Sequence, residues 1–139
     1  MKTAYLILPV VLILQSICCC LPWGAFDLII EDDLVENYSV WAIDIKEQAC
    51  IVKKDQPNSD GASCVVPPMV FEYGWSEDFI IAKQHPESGD AFDTNGINWY
   101  IIEVESGKVH GPLNEDEFYS LRKTIDIPDD LVFTKEIEP

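Results

Sequence analysis

Basic residues are scarce in this chain, and their scarcity excludes two classes of partner. The 139 residues include 9 lysines and arginines against 25 aspartates and glutamates, which gives a formal net charge of −16. Such a chain repels the phosphate backbone of nucleic acids and the headgroups of anionic lipids. We therefore expect no nucleic-acid partner. The acidic residues are scattered, which favours a solvated surface; the alternative is a surface that binds a basic partner.

Long apolar runs are also rare, and the one at the N-terminus indicates export. It extends from Ala4 to Leu14, follows Lys2 and precedes three consecutive cysteines that end at Cys20. A charged start, an apolar core of about eleven residues and small residues at its end are typical of a secretory signal, whereas a membrane-spanning helix needs about 20 apolar residues. Because cysteines occupy the expected cleavage site, we predict a lipoprotein-type signal peptide over 1–19.

The spacing around the cysteines favours Cys20 as the lipidated residue. Ile17 stands three residues before it and the small Cys19 directly before it, whereas cleavage before Cys18 would have to follow the bulky Ile17. Cys19 is the alternative. Residues 20–25 then form a tether, and the remainder is extracytoplasmic, anchored to the bacterial cell membrane by the lipid. An uncleaved anchor helix and simple secretion are the other interpretations.

Cysteines are few beyond this leader, where only Cys50 and Cys64 remain. In an exported domain these two thiols meet a non-reducing space, so we predict a disulfide between them. Closing a loop of about 14 residues stabilises the fold by about 3 kcal/mol on the chain-entropy model. The alternative is two separate thiols. A metal site is not expected, because neither His85 nor His110 lies at ligand spacing from the cysteines.

Catalytic motifs are missing as well. Ser76 follows a sequence that does not match the nucleophile elbow of hydrolases, and His85 and His110 are expected at strand ends. Residues 93–96 begin like a calcium loop, but the glycine comes too early and no glutamate follows at the twelfth position. We therefore predict a protein that is not an enzyme and that has no metal and no cofactor.

The hydrophobic patterns predict an α+β fold in a single domain, 26–139. We expect a mostly antiparallel β-sheet or meander of about five to seven strands, covered on one face by one late amphipathic helix at about 114–125. Segments of strand character are 26–30, 38–43, 49–52, 65–75 with two prolines at its start, 79–84, 97–104, 109–110 and an edge strand at 131–134.

Capping residues make the helix the clearest element of the sequence. Asn114 can accept a hydrogen bond from the first turn, and Glu117 can return one to the backbone of Asn114. Phe118, Leu121 and Ile125 recur at helical spacing. We therefore expect this apolar face to pack on the sheet.

Tryptophans are the remaining candidates for a binding site. Trp75 and Trp99 lie in or at the ends of predicted strands, and Tyr100 follows Trp99 directly. Alternation along a strand places Trp99 and Tyr100 on opposite faces, so at least one of them is predicted to be exposed. Trp75, Trp99 and Tyr100 could thus form an aromatic binding surface; the alternative is that all three belong to the core.

Three stretches together resemble a family of bacterial lipoproteins that is known only as a domain of unknown function. They are GWSEDFIIAKQHP at 74–86, WYIIEV at 99–104 and GKVHGPLNEDEF at 107–118, and residues 22–27 are similar to the family's opening after the cysteine. The resemblance covers roughly residues 65–130. It implies export and anchoring, and it brings no reaction, ligand or catalytic residue with it.

The sequence thus favours a membrane-tethered, non-enzymatic binding domain whose ligand is an unknown protein or small molecule. An acidic inhibitor or immunity-type protein is the second hypothesis, and it predicts binding that weakens steeply with salt. A small hydrolase of the cell envelope is the third. It requires a pocket that brings a histidine, a carboxylate and a hydroxyl together.

Overall fold

Strands dominate the part of the protein that the computed structural model describes, residues 28–56 and 61–138. Within these residues the chain forms eleven β-strands, a short 3₁₀ helix and one α-helix. In chain order they are β1 (Leu28–Asp33), β2 (Tyr38–Ile43), the 3₁₀ helix (Lys46–Gln48), β3 (Cys50–Lys54), β4 (Ala62–Val66), β5 (Val70–Trp75), β6 (Phe79–Gln84), β7 (Glu87–Ser88), β8 (Ala91–Phe92), β9 (Asn98–Glu103), β10 (Lys108–Leu113), α1 (Glu115–Thr124) and β11 (Lys135–Glu136).

The long strands form two antiparallel sheets. Sheet A has the order β1-β2-β3-β4, and sheet B has the order β10-β9-β6-β5-β11. The two-residue strands β7 and β8 pair with each other. The predicted α+β class with one late helix is confirmed, but the described residues form more strands than expected. The additional strands come from β7 and β8 in the loop after β6, and from the division of residues 65–75 between β4 and β5.

A first hydrophobic core lies between the two sheets. Sheet A contributes Tyr38, Val40 and Ile51, and sheet B contributes Ile80 and Ile102. All five side chains are almost completely buried. This core accounts for the burial of Tyr38, Val40 and Ala42 on one face of β2. Ser39 between them is buried on the other face, where it donates to Asp33.

A second core lies on the other face of sheet B, beneath helix α1. Phe118 of the helix is fully buried and packs with Ile81 and Ile101 of sheet B. The predicted capping box is present: Asn114 Oδ1 accepts from the Glu117 backbone N–H, and Glu117 Oε2 accepts from the Asn114 N–H, both at 2.9 Å. Sheet B is therefore the middle layer of three.

Two prolines separate what the sequence presents as one strand over 65–75. Val66 ends β4 in sheet A and Val70 begins β5 in sheet B, with Pro67 and Pro68 between them. Proline cannot donate a ladder hydrogen bond, so pairing stops there and the chain crosses to the other sheet. The prolines thus lie at the entry to β5, as predicted, but residues 65–66 belong to another strand, so the predicted start of this strand was wrong.

The predicted edge strand at 131–134 lies a few residues later. Leu131 is buried in the second core and Phe133 contacts the Trp99 ring, so this segment packs by its side chains. Backbone pairing begins only at Thr134, whose N–H donates to Tyr73 O at 3.0 Å, and β11 follows at Lys135–Glu136. The edge strand therefore exists, but at shifted bounds.

Candidate functional site

An apolar groove crosses the outer face of sheet A, the face turned away from the first core. Its cavity volume is about 410 Å³. The strands β2, β3 and β4 supply most of its walls, because residues that are cross-strand partners point to the same face of a sheet. The lining residues are Trp41, Ile43, Gln48, Cys50, Val52, Ala62, Cys64 and Pro68.

The predicted disulfide lines this groove. Cys50 and Cys64 are bonded, with their Cα atoms 5.9 Å apart. Cys64 pairs with Val52 in the ladder, so the bridge runs diagonally from β3 to the edge strand β4. Cys50 is buried while Cys64 is exposed. The bridge therefore fixes the outer strand to the sheet and presents an apolar surface to the groove.

Trp41 stands beside the bridge, because it is the cross-strand partner of Cys50. The Lys54 ammonium lies 5.6 Å from the centre of the Trp41 ring. The indole N–H of Trp41 is buried, and among the described residues it has no hydrogen-bond acceptor. A buried donor without a partner costs free energy, so this N–H destabilises the fold locally.

Charged side chains of β1 and β3 form the rim of the groove. Lys54 Nζ is 2.9 Å from Asp33 Oδ1 and 3.7 Å from Glu31 Oε1. Ser39 donates to the same Asp33 oxygen at 2.6 Å, and these two donors hold the pKa of Asp33 below its usual range. The Asp33 side chain is 78% exposed and that of Glu31 50%, so the rim keeps accessible negative charge.

The predicted aromatic surface does not form where the sequence placed it. Trp99 and Tyr100 do lie on opposite faces of β9, but both are buried, at 6% and 5% exposure. The prediction assumed that one face of the sheet is open, whereas sheet B is covered by α1 on one side and by sheet A on the other. Trp75 is half-buried and packs against the first core.

Trp41 was missed by the sequence analysis, although β2 carried a signal for it. Alternation puts Tyr38, Val40 and Ala42 on one face, and Trp41 and Ile43 on the other. A strand that is apolar on both faces is buried on both or exposes an apolar surface. Trp41 and Ile43 belong to neither hydrophobic core, so this face of β2 presents an apolar surface.

A second cleft, of about 610 Å³, lies at the turn end of sheet B. Glu103 Oε1 is 2.6 Å from His110 Nε2, and the Ser106 hydroxyl donates to Glu103 Oε2 at 3.4 Å. The hydroxyl thus meets the carboxylate and not the imidazole, so the order of contacts differs from that of a nucleophile activated by histidine. The lining residues are Asp78, Phe79, Glu103, Glu105 and Ser106.

His85 lies elsewhere, in a structural position. Its ring stacks on Phe71 with centroids 4.1 Å apart, and its Nδ1 is 2.8 Å from Gly96 O. Among residues 28–56 and 61–138, no group of three or more His, Cys, Asp or Glu side chains could hold a metal ion.

The Glu103–His110 contact predicts a measurable titration. The hydrogen bond from His110, aided by its charge, holds the pKa of the Glu103 carboxyl below its usual range. Because this pKa is lower in the folded than in the unfolded protein, the contact stabilises the fold above the usual carboxyl range, and the stabilisation is lost as the pH falls through the lowered pKa. We expect His110→Ala to raise the pKa of Glu103 in a carboxyl NMR titration. His85→Ala is the control, and an equal rise in that variant would contradict the assignment.

The predicted lipidation residues Cys20 and Cys19 lie outside the described residues, as do residues 26 and 27 and the last residue of the predicted domain. Within the part that the structure describes, no helix is long and apolar enough to cross a membrane.

These features define a class, that of a small α+β domain with two stacked antiparallel sheets, one capped helix and an apolar groove over a disulfide. The family model described as a protein of unknown function (DUF3997) matches residues 35–138, more than half of the chain. The chain belongs to this family, as the resemblance of its three motifs to a family of unknown function indicated. No curated protein matches the chain, and no solved structure matches it.

Proposed function

We propose that this protein is a membrane-tethered, extracytoplasmic lipoprotein domain that acts by binding, with the outer face of sheet A as its contact surface. The observation that carries the proposal is the groove over the Cys50–Cys64 bridge, because its wall is mostly apolar and includes Trp41. Binding sites on proteins are commonly apolar clefts with a few convergent polar groups.

The N-terminal leader supports the location. A lipid on Cys20 would hold the domain through a short tether that leads directly into β1, the edge strand of sheet A. The disulfide agrees with this location, since disulfides persist in non-reducing compartments.

The charges around the groove suggest the kind of partner. Glu31 and Asp33 keep accessible carboxylates on the rim, and the whole chain carries a net charge of −16. A protein segment with an apolar side chain for the groove and a basic side chain for the rim would complement both features. The ligand proposed here is therefore an apolar and basic segment of a protein.

An inhibitor or immunity-type protein is the second candidate, and the exposed acidic rim favours it. It would bind through the same outer face of sheet A, but most of its affinity would come from the attraction between the acidic rim and a basic partner. Binding that falls steeply with salt would support it, and binding that depends mainly on the apolar groove would support the first candidate. We do not extend the proposal to a hydrolase, because Ser106 contacts Glu103 and not His110.

Intact-mass analysis tests the tether. The full chain is extracted from membranes, together with single variants Cys18→Ser, Cys19→Ser and Cys20→Ser. We expect an acyl mass increment in the wild type that is lost in Cys20→Ser, because the acylated residue is the new N-terminus. An increment retained in all three variants, or absent from the wild type, would reject the lipid anchor.

Calorimetric titration with two designed peptides tests the groove. We expect an alternating phenylalanine–lysine hexapeptide to bind, and an alternating phenylalanine–glutamate hexapeptide to bind more weakly because of the acidic rim. Since a buried aromatic anchor is worth about 1.4 kcal/mol or more, Trp41→Ala should weaken binding of the first peptide about tenfold.

Tyr119→Ala is the matched control, because Tyr119 is an exposed aromatic residue on α1, in the layer beyond sheet B. An equal loss in the Tyr119→Ala variant, or no binding of either peptide, would count against the groove. Equal binding of the two peptides would count against a contribution of the acidic rim.

A further inference from the structure

Exposed aliphatic side chains gather at one end of sheet A. Leu28 is 41% exposed, Ile29 46% and Ile45 50%. Leu28 is the cross-strand partner of Ile43, and Ile45 follows Ile43 closely, since its N–H donates to Ile43 O at 2.7 Å. The three side chains therefore belong to the same end of the sheet, and we call them the apolar end of sheet A.

The chain itself indicates what this end faces. Leu28 is the first residue of β1, and only residues 21–27 separate it from Cys20. Cys20 and Leu28 are eight positions apart, and a fully extended chain of this length spans about 29 Å at most. If Cys20 is lipidated, as the proposed function requires, the apolar end of sheet A is held within that distance of the bilayer.

We propose that the apolar end of sheet A docks on the membrane, with Leu28, Ile29 and Ile45 inserted at the boundary between headgroups and acyl chains. Charge cannot drive this contact, because the chain carries a net charge of −16 and repels anionic headgroups. Close to Ile45, Asp44 and Glu47 are acidic and Lys46 is the one basic neighbour, which donates to Glu138 O at 2.9 Å. Burial of apolar area is thus the driving force.

Docking in this way gives the groove a fixed orientation. Ile43 is the cross-strand partner of Leu28 and also lines the groove. The groove therefore begins next to the membrane surface and extends away from it along β2. A ligand would reach it beside the bilayer, as a segment of a membrane protein would.

Site-specific photo-crosslinking in vesicles tests the docking. The full chain, extracted from membranes, is reconstituted in neutral phosphatidylcholine vesicles, with a benzophenone amino acid in place of Ile45 in one variant and of Val132 in another. Val132 is a matched control, since it is 52% exposed and follows α1 in the layer beyond sheet B. Because half-burial of an isoleucine corresponds to about a tenfold change in partition, we expect about tenfold more lipid adduct at position 45 than at position 132.

Two further arms make the outcomes distinct. Added salt should leave the adduct yield in neutral vesicles unchanged, whereas a yield that falls with salt would overturn the apolar mechanism. Equal lipid-adduct yields at the two positions would overturn the docking. It would also be overturned if the probe at position 45 formed no lipid adduct and crosslinked only to an added partner protein. Mass analysis of the same sample separates the two proposals: an acylated chain without lipid adducts refutes the docking alone, while a chain without acylation refutes the tether.

Discussion

Replacing both Cys50 and Cys64 by alanine is expected to lower the free energy of unfolding by about 3 kcal/mol. The bridge closes a loop across a sequence separation of 14 and fixes the edge strand β4 to β3. Without it, the unfolded chain gains conformational freedom and the edge strand is held by one ladder only. Urea unfolding followed by circular dichroism measures the change as a lower midpoint.

Reduction provides the control for this substitution. Wild-type protein with a strong reductant should unfold at nearly the same urea concentration as the double variant, and the reductant should not affect the variant. A midpoint that is unchanged in both cases would contradict a stabilising bridge. Because Cys50 and Cys64 line the groove, the double variant should also lose affinity for the phenylalanine–lysine peptide.

Phe118→Ala is expected to have an equal or larger effect, about 3–5 kcal/mol, which is typical of deleting a buried phenylalanine. Phe118 is fully buried and is the only residue of α1 in that class. Its ring lies 4.8 Å from that of Trp99 and 6.1 Å from that of Phe133, so its loss leaves a cavity between α1 and sheet B. Thermal unfolding and the near-ultraviolet signal of Trp99 report the change.

Tyr119→Ala is the neighbouring control for this variant. Tyr119 is 46% exposed, and its ring centroid lies 5.3 Å from that of Phe118 and 5.8 Å from that of Trp99. We expect a loss of about 1 kcal/mol from the aromatic contact. If the two variants were destabilised equally, α1 would not be anchored by its buried face.

Local chemistry made part of the fold predictable from sequence. The capping box of α1 depends on two side chains three residues apart, and each bond appears as expected. The turn between β5 and β6 is equally local, since the Ser76 backbone N–H donates to Phe79 O at 2.8 Å. The Cys50–Cys64 pairing also followed from count and context, because no other cysteine remained beyond the leader.

The candidate site was less predictable, because it depends on which face of each strand is covered. Trp99 and Trp41 both lie in aromatic strands of similar length, and no local property separates them. Trp99 is buried because α1 covers its face of sheet B. Lys83 illustrates the same point: it pairs with Glu72 and lies 4.6 Å from the Trp99 ring, a contact between residues of three strands.

Composition and local pattern were enough to predict the acidic character, the α+β class and the capped helix, and they favoured the Cys50–Cys64 pair over two separate thiols. These follow from composition or from interactions between near neighbours, whose geometry the chain fixes locally. The division of the strands into two sheets, the burial of Trp99 and Tyr100 and the position of Trp41 in a groove became visible in the tertiary structure alone. Burial depends on the stacking of layers distant in sequence, and alternation within one strand cannot show which of its faces another layer will cover.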